Sequence, residues 1–163
     1  TGFGFDVHAF AEDRKLVLGG VEIPFVLGLQ GHSDADVLTH AIMDALLGAA
    51  ACGDIGKHFP DSSSEFKGAF SIDLLKRTLE IIREKGYQVN NIDATIAAER
   101  PKMAVYIDKM VNNYAQVMNL SAEDINIKAT TTEKLGFTGR EEGIAAFAVC
   151  TIYKVEDIKM GEI

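Results

Sequence analysis

Basic residues are the scarce class in this chain: 16 Lys and Arg stand against 24 Asp and Glu, a formal net charge of −8. Nucleic-acid binding draws on cationic side chains that neutralise phosphates, so the lack of a basic stripe argues against such a partner. It leaves room for a small anionic ligand held by a few placed donors and metal ions. Only two cysteines occur, Cys52 and Cys150, and neither sits in a CxxC pair. That is too few for a disulfide framework and makes a reduced compartment the default. No apolar run approaches the ~20 residues that cross a bilayer, so no membrane partner is expected. Repeats, low-complexity tracts and Pro/Ser-rich linkers are absent, and no signal peptide is read at the start. What is present is 163 residues, 47% hydrophobic and 25% charged. This suffices for one domain, 1–163, with a substantial core.

Apolar periodicity then orders the chain. Phe3 to Phe10 reads as a strand, and Leu16–Leu18 with Val21–Ile23 as a hairpin around Gly19-Gly20. Leu38, Ile42, Ala45 and Ala49 recur at three and four residues, predicting a helix from Ala35 to Ala51 with Ser33 or Asp34 as its cap. Asp54 to Gly68 reads as a loop. A helix from Ser71 to Lys85 buries Leu74, Leu75, Leu79 and Ile82 and stops at Gly86. A strand Tyr87 to Ala98, a helix Pro101 to Asn119, a strand Ile125 to Ala129, a loop Thr130 to Glu142 and a strand Ile144 to Tyr153 complete the order. The fold class expected is α/β, an α+β sandwich: a mixed sheet with three main helices packed on one face. The chain is too short to cover the other face, which points to self-association there.

Three of the four histidines fall in two short segments, Phe5-Asp6-Val7-His8 and Gly31-His32-Ser33-Asp34-Ala35-Asp36-Val37-Leu38-Thr39-His40. In a strand Asp6 and His8 point the same way, and His40 lies on the first helix. Two imidazoles and a carboxylate suit zinc and leave a tetrahedral position open, the arrangement of a catalytic site. Asp36, His40 and Asp44 follow at i, i+4 and i+8, about 40° apart per step, so either carboxylate is placed to take the imidazole's second N–H. The other reading leaves Asp44 in solvent. His32-Ser33 before the helix reads either as an anion cradle or as a plain cap beside a surface histidine. The loop Asp54 to Asp61 mixes carboxylates with glycine. The loop Thr130 to Arg140 opens on three consecutive threonines, Thr130 to Thr132, and carries Glu133, Lys134 and Arg140. It has the groups to hold phosphates, with Glu133 on a hard cation, although the Walker order is absent. Met103, Met110 and Met118 read as core filler.

Taken together, the chain resembles the 2-C-methyl-D-erythritol 2,4-cyclodiphosphate synthase family of the non-mevalonate isoprenoid pathway. The markers are Gly4 to Phe10, Gly31 to Asp36, His40 with Asp44 to Ala49, Asp54-Ile55-Gly56 with Phe59-Pro60-Asp61, Pro101-Lys102-Met103, and Lys128 to Arg140. The resemblance implies a homotrimer with active sites between subunits, joined through the uncovered sheet face. It implies Zn²⁺ on Asp6, His8 and His40 and a second divalent cation, Mg²⁺ or Mn²⁺, on Glu133. The implied substrate is a nucleotide diphosphate, 4-diphosphocytidyl-2-C-methyl-D-erythritol 2-phosphate, closed to the cyclodiphosphate with loss of CMP. His32, Asp36 and Glu133 are the residues then placed at the chemistry, Asp36 in support. His32 and Ser33 would meet the 2-phosphate, Asp54 and Gly56 the methylerythritol hydroxyls, and Asp61 is a further substrate-binding position. Ala98, Pro101, Lys102, Met103, Thr130, Thr131, Thr132, Glu133 and Phe137 would line the cytidine and diphosphate pocket, with Arg140 near it. Phe5 and Arg140 match positions tied to isoprenoid diphosphates in a central cavity. The chain departs from the family's common pattern at Glu99 and Ser63. The setting expected is cytoplasmic for a bacterial source and a plastid-type organelle for a eukaryotic one. Two rival readings are a zinc hydrolase using Asp36 as base and a trimeric diphosphate-binding protein without turnover.

Overall fold

The computed structural model describes residues 1–60, 63–66 and 68–155. Strands β1 (Gly2–Ala11), β4 (Gly28–Leu29), β5 (Tyr87–Ala97), β6 (Ile125–Thr130) and β7 (Gly143–Lys154) form a five-stranded sheet ordered β4-β1-β7-β5-β6. Only β5 and β6 run parallel, so the sheet is mixed as expected. Strands β2 (Leu16–Leu18) and β3 (Val21–Ile23) make the separate hairpin. The long helices are α1 (Val37–Ala49), α3 (Ser71–Glu84) and α4 (Ile107–Met118). Short helices α2 (Ile55–His58) and α5 (Gly136–Gly139) interrupt the two predicted loops.

One face of the sheet carries the core. Ile144, Ala146, Ala148 and Cys150 alternate inward along β7, and Ile92, Ala94 and Ile96 along β5. Ten residues of α1, from Val37 to Leu47, are buried, so this helix is enclosed by the sheet and α3 rather than lying on the surface. The opposite face is open. Phe3, Phe5 and Val7 of β1 and Phe147 and Val149 of β7 project from it, each between 38% and 63% exposed. Phe5 stacks on Phe147 with ring centroids 5.0 Å apart. The Asp93–Lys128 pair (2.6 Å) extends the same face over β5 and β6.

The starts of two helices differ most from the periodicity. Helix α1 starts at Val37, two residues late, because Ala35 has φ +57° and cannot join a right-handed helix. Its cap is Asp36, not Ser33 or Asp34: the Asp36 carboxylate accepts the Thr39 N–H at 3.0 Å. Helix α4 starts at Ile107 rather than Pro101, since buried Met103 ties the preceding segment to the core and a 3₁₀ turn, Ala104–Tyr106, leads in.

Candidate metal centre

Two glycines of β1 set the position of α1. A Cβ on Gly2 would lie 1.9 Å from the Ala45 carbonyl oxygen, and one on Gly4 equally close to that of Ala41. Helix and strand therefore meet backbone to backbone, which glycine alone permits. The next two side chains on the same face of β1 are Asp6 and His8, and the helix residue before Ala41 is His40. The close approach carries His40 directly over them.

The result is a triangle of donor atoms. Asp6 Oδ2 lies 3.0 Å from His8 Nε2 and 3.0 Å from His40 Nδ1, and the two ring nitrogens are 3.1 Å apart. Three atoms with lone pairs this close repel one another unless a proton or a cation sits between them. A tetrahedral zinc with bonds of about 2.0–2.1 Å holds its ligands roughly 3.3 Å apart, so the set fits such an ion with little adjustment. The other ring nitrogens are spoken for. His8 Nδ1 donates to the Gln30 carbonyl at 2.6 Å, leaving Nε2 to face inward. His40 Nε2 lies 3.0 Å from Ser71 Oγ and 3.3 Å from Ser33 Oγ.

Electrostatics agree with a cation-seeking site. Burial pulls the Asp6 carboxyl upward, but hydrogen bonding to His40 and His8, and their charge, hold it well below the usual carboxylate range. Burial likewise pushes the His8 imidazole down, and the Asp6 carboxylate with the Gln30 carbonyl more than restores it. The triangle forms the floor of a cleft of about 200 Å³ whose walls include His32, Ser33, Met43, Ile55 and Phe59. Arg14 braces its rim, donating to the Gly31 carbonyl at 2.8 Å and the Ser33 carbonyl at 2.6 Å.

Neither helical carboxylate orients His40. Asp36 is fully buried and turned away, accepting from the Gly20 N–H (2.8 Å), the Thr39 N–H and the Thr39 hydroxyl (2.8 Å). Asp36 thus caps α1 and does not take the second N–H of the His40 imidazole. Asp44 accepts the Ile55 N–H at 2.8 Å and so anchors α2 below the cleft. Asp54 caps that same short helix through the Lys57 N–H at 3.0 Å, with Gly56 inside it. Asp61 lies outside the described residues.

The second predicted group gathers elsewhere, past the ends of β5 and β6. Ala97 pairs with Thr130, and the Ala98 N–H donates to the Thr130 carbonyl at 3.0 Å. Glu99 Oε1 takes the N–H groups of Thr132 (3.2 Å) and Lys134 (3.0 Å), fixing a turn in which Glu133 and Lys134 have φ of 53° and 64°. Thr131 Oγ1 donates to Glu133 Oε1 at 3.2 Å. Met103 is buried, and Phe137 is 39% exposed. None of Ala98, Pro101, Lys102, Met103, Thr130, Thr131, Thr132, Glu133 or Phe137 lines the triad's cleft. Arg140 forms a two-pronged pair with Glu142 (2.8 and 3.1 Å) beyond the Ala9 end of the β1/β7 ladder. The sequence reading missed Gln30, Ser71 and the Glu99 anchor. Each acts through a partner more than 20 residues distant, which no local pattern reports.

Comparison with known proteins agrees with the geometry. The YgbB family model matches residues 1–153. A 2-C-methyl-D-erythritol 2,4-cyclodiphosphate synthase from Agathobacter rectalis is 55% identical over 160 residues, spanning 98% of this chain and 90% of the relative. Among solved structures, the bifunctional IspDF from Campylobacter jejuni superposes with a TM-score of 0.91 at 46% identity over 95% of this chain, which spans 42% of that longer protein. IspF of Plasmodium falciparum in complex with CDP superposes at 0.82 with 32% identity, over 95% of this chain and 96% of that one. A donor triangle suited to a divalent metal, on a fold shared along nearly its whole length, makes this chain a member of the YgbB family, the 2-C-methyl-D-erythritol 2,4-cyclodiphosphate synthases.

Proposed function

We propose that Asp6, His8 and His40 would hold Zn²⁺ and that Glu133 would engage a second divalent cation, Mg²⁺ or Mn²⁺. The reaction is that of the family: 4-diphosphocytidyl-2-C-methyl-D-erythritol 2-phosphate is converted to 2-C-methyl-D-erythritol 2,4-cyclodiphosphate and CMP in isoprenoid biosynthesis. The 2-phosphate attacks the β-phosphorus, the bond to the α-phosphate oxygen breaks, and CMP leaves with that oxygen. The observation that carries this reading is the donor triangle of Asp6, His8 and His40 in the floor of a cleft.

Bound cations supply charge neutralisation at the phosphates and alignment of the displacement. The chain's own residues do the rest by holding the reactants in place. His32 and Ser33, at the cleft wall, bind the 2-phosphate, Ser33 with its hydroxyl and His32 with its ring. Asp54 and Gly56 receive the methylerythritol hydroxyls. Attacking and leaving groups are both anions, so no side-chain base is assigned. A hydrolase would need a carboxylate over the metal, and Asp36 is committed to Gly20 and Thr39 instead.

The cytidine and diphosphate contacts come from a neighbouring subunit of a homotrimer: Ala98, Pro101, Lys102, Met103, Thr130, Thr131, Thr132 and Phe137. Two observations support this. The groups line separate places within one chain, and the sheet presents an apolar face that is exposed among the described residues. Phe5 and Arg140 then face a central cavity for an isoprenoid diphosphate, whose charge would compete with Glu142 for the guanidinium.

The test is zinc content by elemental mass spectrometry beside ³¹P NMR of substrate incubated with protein and Mg²⁺. One zinc per chain with CMP and a cyclic diphosphate is the expected result, and zinc without cyclic product would refute the assignment. His40→Ala and Glu133→Gln should each be inactive alone. Subunit exchange between them should restore turnover, and no recovery on mixing would count against sites shared between chains.

A further inference from the structure

We infer that Ser71 and Asp34 are positioning residues that lock His40 in the tautomer able to bind metal, an inference that rests on the metal reading above. Ser71 is the first residue of α3 and is wholly buried. Its N–H donates to Asp34 Oδ2 at 3.0 Å, and its hydroxyl makes a short contact with Asp34 Oδ1. Its Oγ is also 3.0 Å from His40 Nε2.

Counting protons settles the direction of this chain of bonds. An ionised carboxylate only accepts, and a serine hydroxyl has one proton to give. With that proton committed to Asp34, Ser71 offers His40 only lone pairs. His40 must therefore carry its proton on Nε2, which leaves the Nδ1 lone pair aimed at Asp6 and His8. The Gln30 carbonyl does the same for His8 from the other side. Ser33 is not locked in this way. Its oxygen lies farther off, at 3.3 Å, and accepts the Ala35 N–H, so its own proton is available to a bound anion.

Asp34 also serves α3 as an N-terminal cap, a task Phe70 at the cap position cannot perform. The two roles separate on substitution. Ser71→Ala keeps the N–H that Asp34 caps and removes only the hydroxyl. Asp34→Asn keeps an oxygen for that N–H but presents an amide donor to the hydroxyl, freeing its proton to turn toward His40.

Zinc affinity is measured by chelator competition, first on the unaltered protein and then on both variants. The tautomer of His40 is read in the zinc-free protein by long-range ¹H–¹⁵N NMR. The expected result is an Nε2–H tautomer in the unaltered protein, lost in both variants, with zinc affinity falling about 10–100-fold. Ser71→Thr, which restores the hydroxyl, should recover the affinity. Zinc bound as tightly by Ser71→Ala, with the tautomer unchanged, would overturn the relay while leaving the metal centre standing. An unaltered protein that takes up no zinc would overturn the metal reading and the relay's purpose together.

Discussion

Gly4 and Ala41 meet backbone to backbone, with no room for even a methyl group between them. Gly4→Ala would place its Cβ 1.9 Å from the Ala41 carbonyl oxygen and 2.7 Å from the Ala45 nitrogen. Backbone atoms inside a buried helix cannot swing aside as a long side chain would. We expect a loss of at least about 1–3 kcal/mol, read as a lower denaturant midpoint at unchanged slope. Zinc should bind more weakly, since the shift moves His40 off Asp6. Unchanged stability would mean that α1 slides freely on β1.

His40→Ala removes one of three donors from the triangle while leaving α1 its helix-forming residues. Loss of zinc and of CMP release is expected, with the far-ultraviolet circular dichroism retained. Full turnover by a zinc-free variant would remove the metal from the mechanism.

Asp36→Ala removes the acceptor of the buried Thr39 N–H, the α1 cap, and that of the Gly20 N–H at the exposed hairpin turn, and leaves the Thr39 hydroxyl only its Tyr114 partner. An unsatisfied buried donor costs about 1–3 kcal/mol, so a loss of that size is expected in urea unfolding. Zinc stoichiometry at saturating metal should hold. Retained stability with lost turnover would return Asp36 to a role at the chemistry.

Glu99→Ala releases the two backbone N–H groups that fix the Glu133 turn. The expected outcome is a several-fold rise in KM for the nucleotide substrate with zinc content unchanged. A KM equal to that of the unaltered enzyme would show the turn to be held by the Thr132 and Thr138 hydroxyls alone.

Tyr114 predicts an alkaline limit to stability. Its hydroxyl is wholly buried, 2.7 Å from Thr39 Oγ1, and burial raises it well above the ordinary 10.0, with the Asp36 charge adding to the shift. Above pH 10 the unfolded chain gives up this proton while the folded chain keeps it. Stability is therefore full below pH 10 and falls as pH rises toward the folded value, by up to about 1.4 kcal/mol per pH unit. Tyr114→Phe should flatten that fall in pH-dependent urea unfolding, and an unaltered slope would assign the alkaline loss to other groups.

The long elements were legible because they obey a period. The spacing of Leu38, Ile42, Ala45 and Ala49 gives α1, and alternation along β1 places Asp6 and His8 together. Helices α2 and α5, four residues each, and the two-residue β4 are too short to show one. Spacing also misled. The step of four from Asp36 to His40 predicts a shared face only if both are helical, and Asp36, with ψ 87°, stands outside the helix. Ser71 lies 31 residues from His40 and joins it only through packing of α3 on α1. Families of contacts such as this have no local signature.

Ala35 holds a left-handed backbone at zero exposure, a conformation that costs an alanine about 1–2 kcal/mol. The kink sends its two neighbours in opposite directions, Asp34 to α3 and Asp36 to the Gly20 turn and, through Thr39, to Tyr114 of α4. Three segments are thereby yoked to one bend. A lineage of this enzyme is not free to drift in its hairpin, α3 and α4 separately: a change in any of them reaches the ion-holding residues, and a later change in another can undo it. Compensating pairs of substitutions should accumulate around this bend rather than around the ligands themselves.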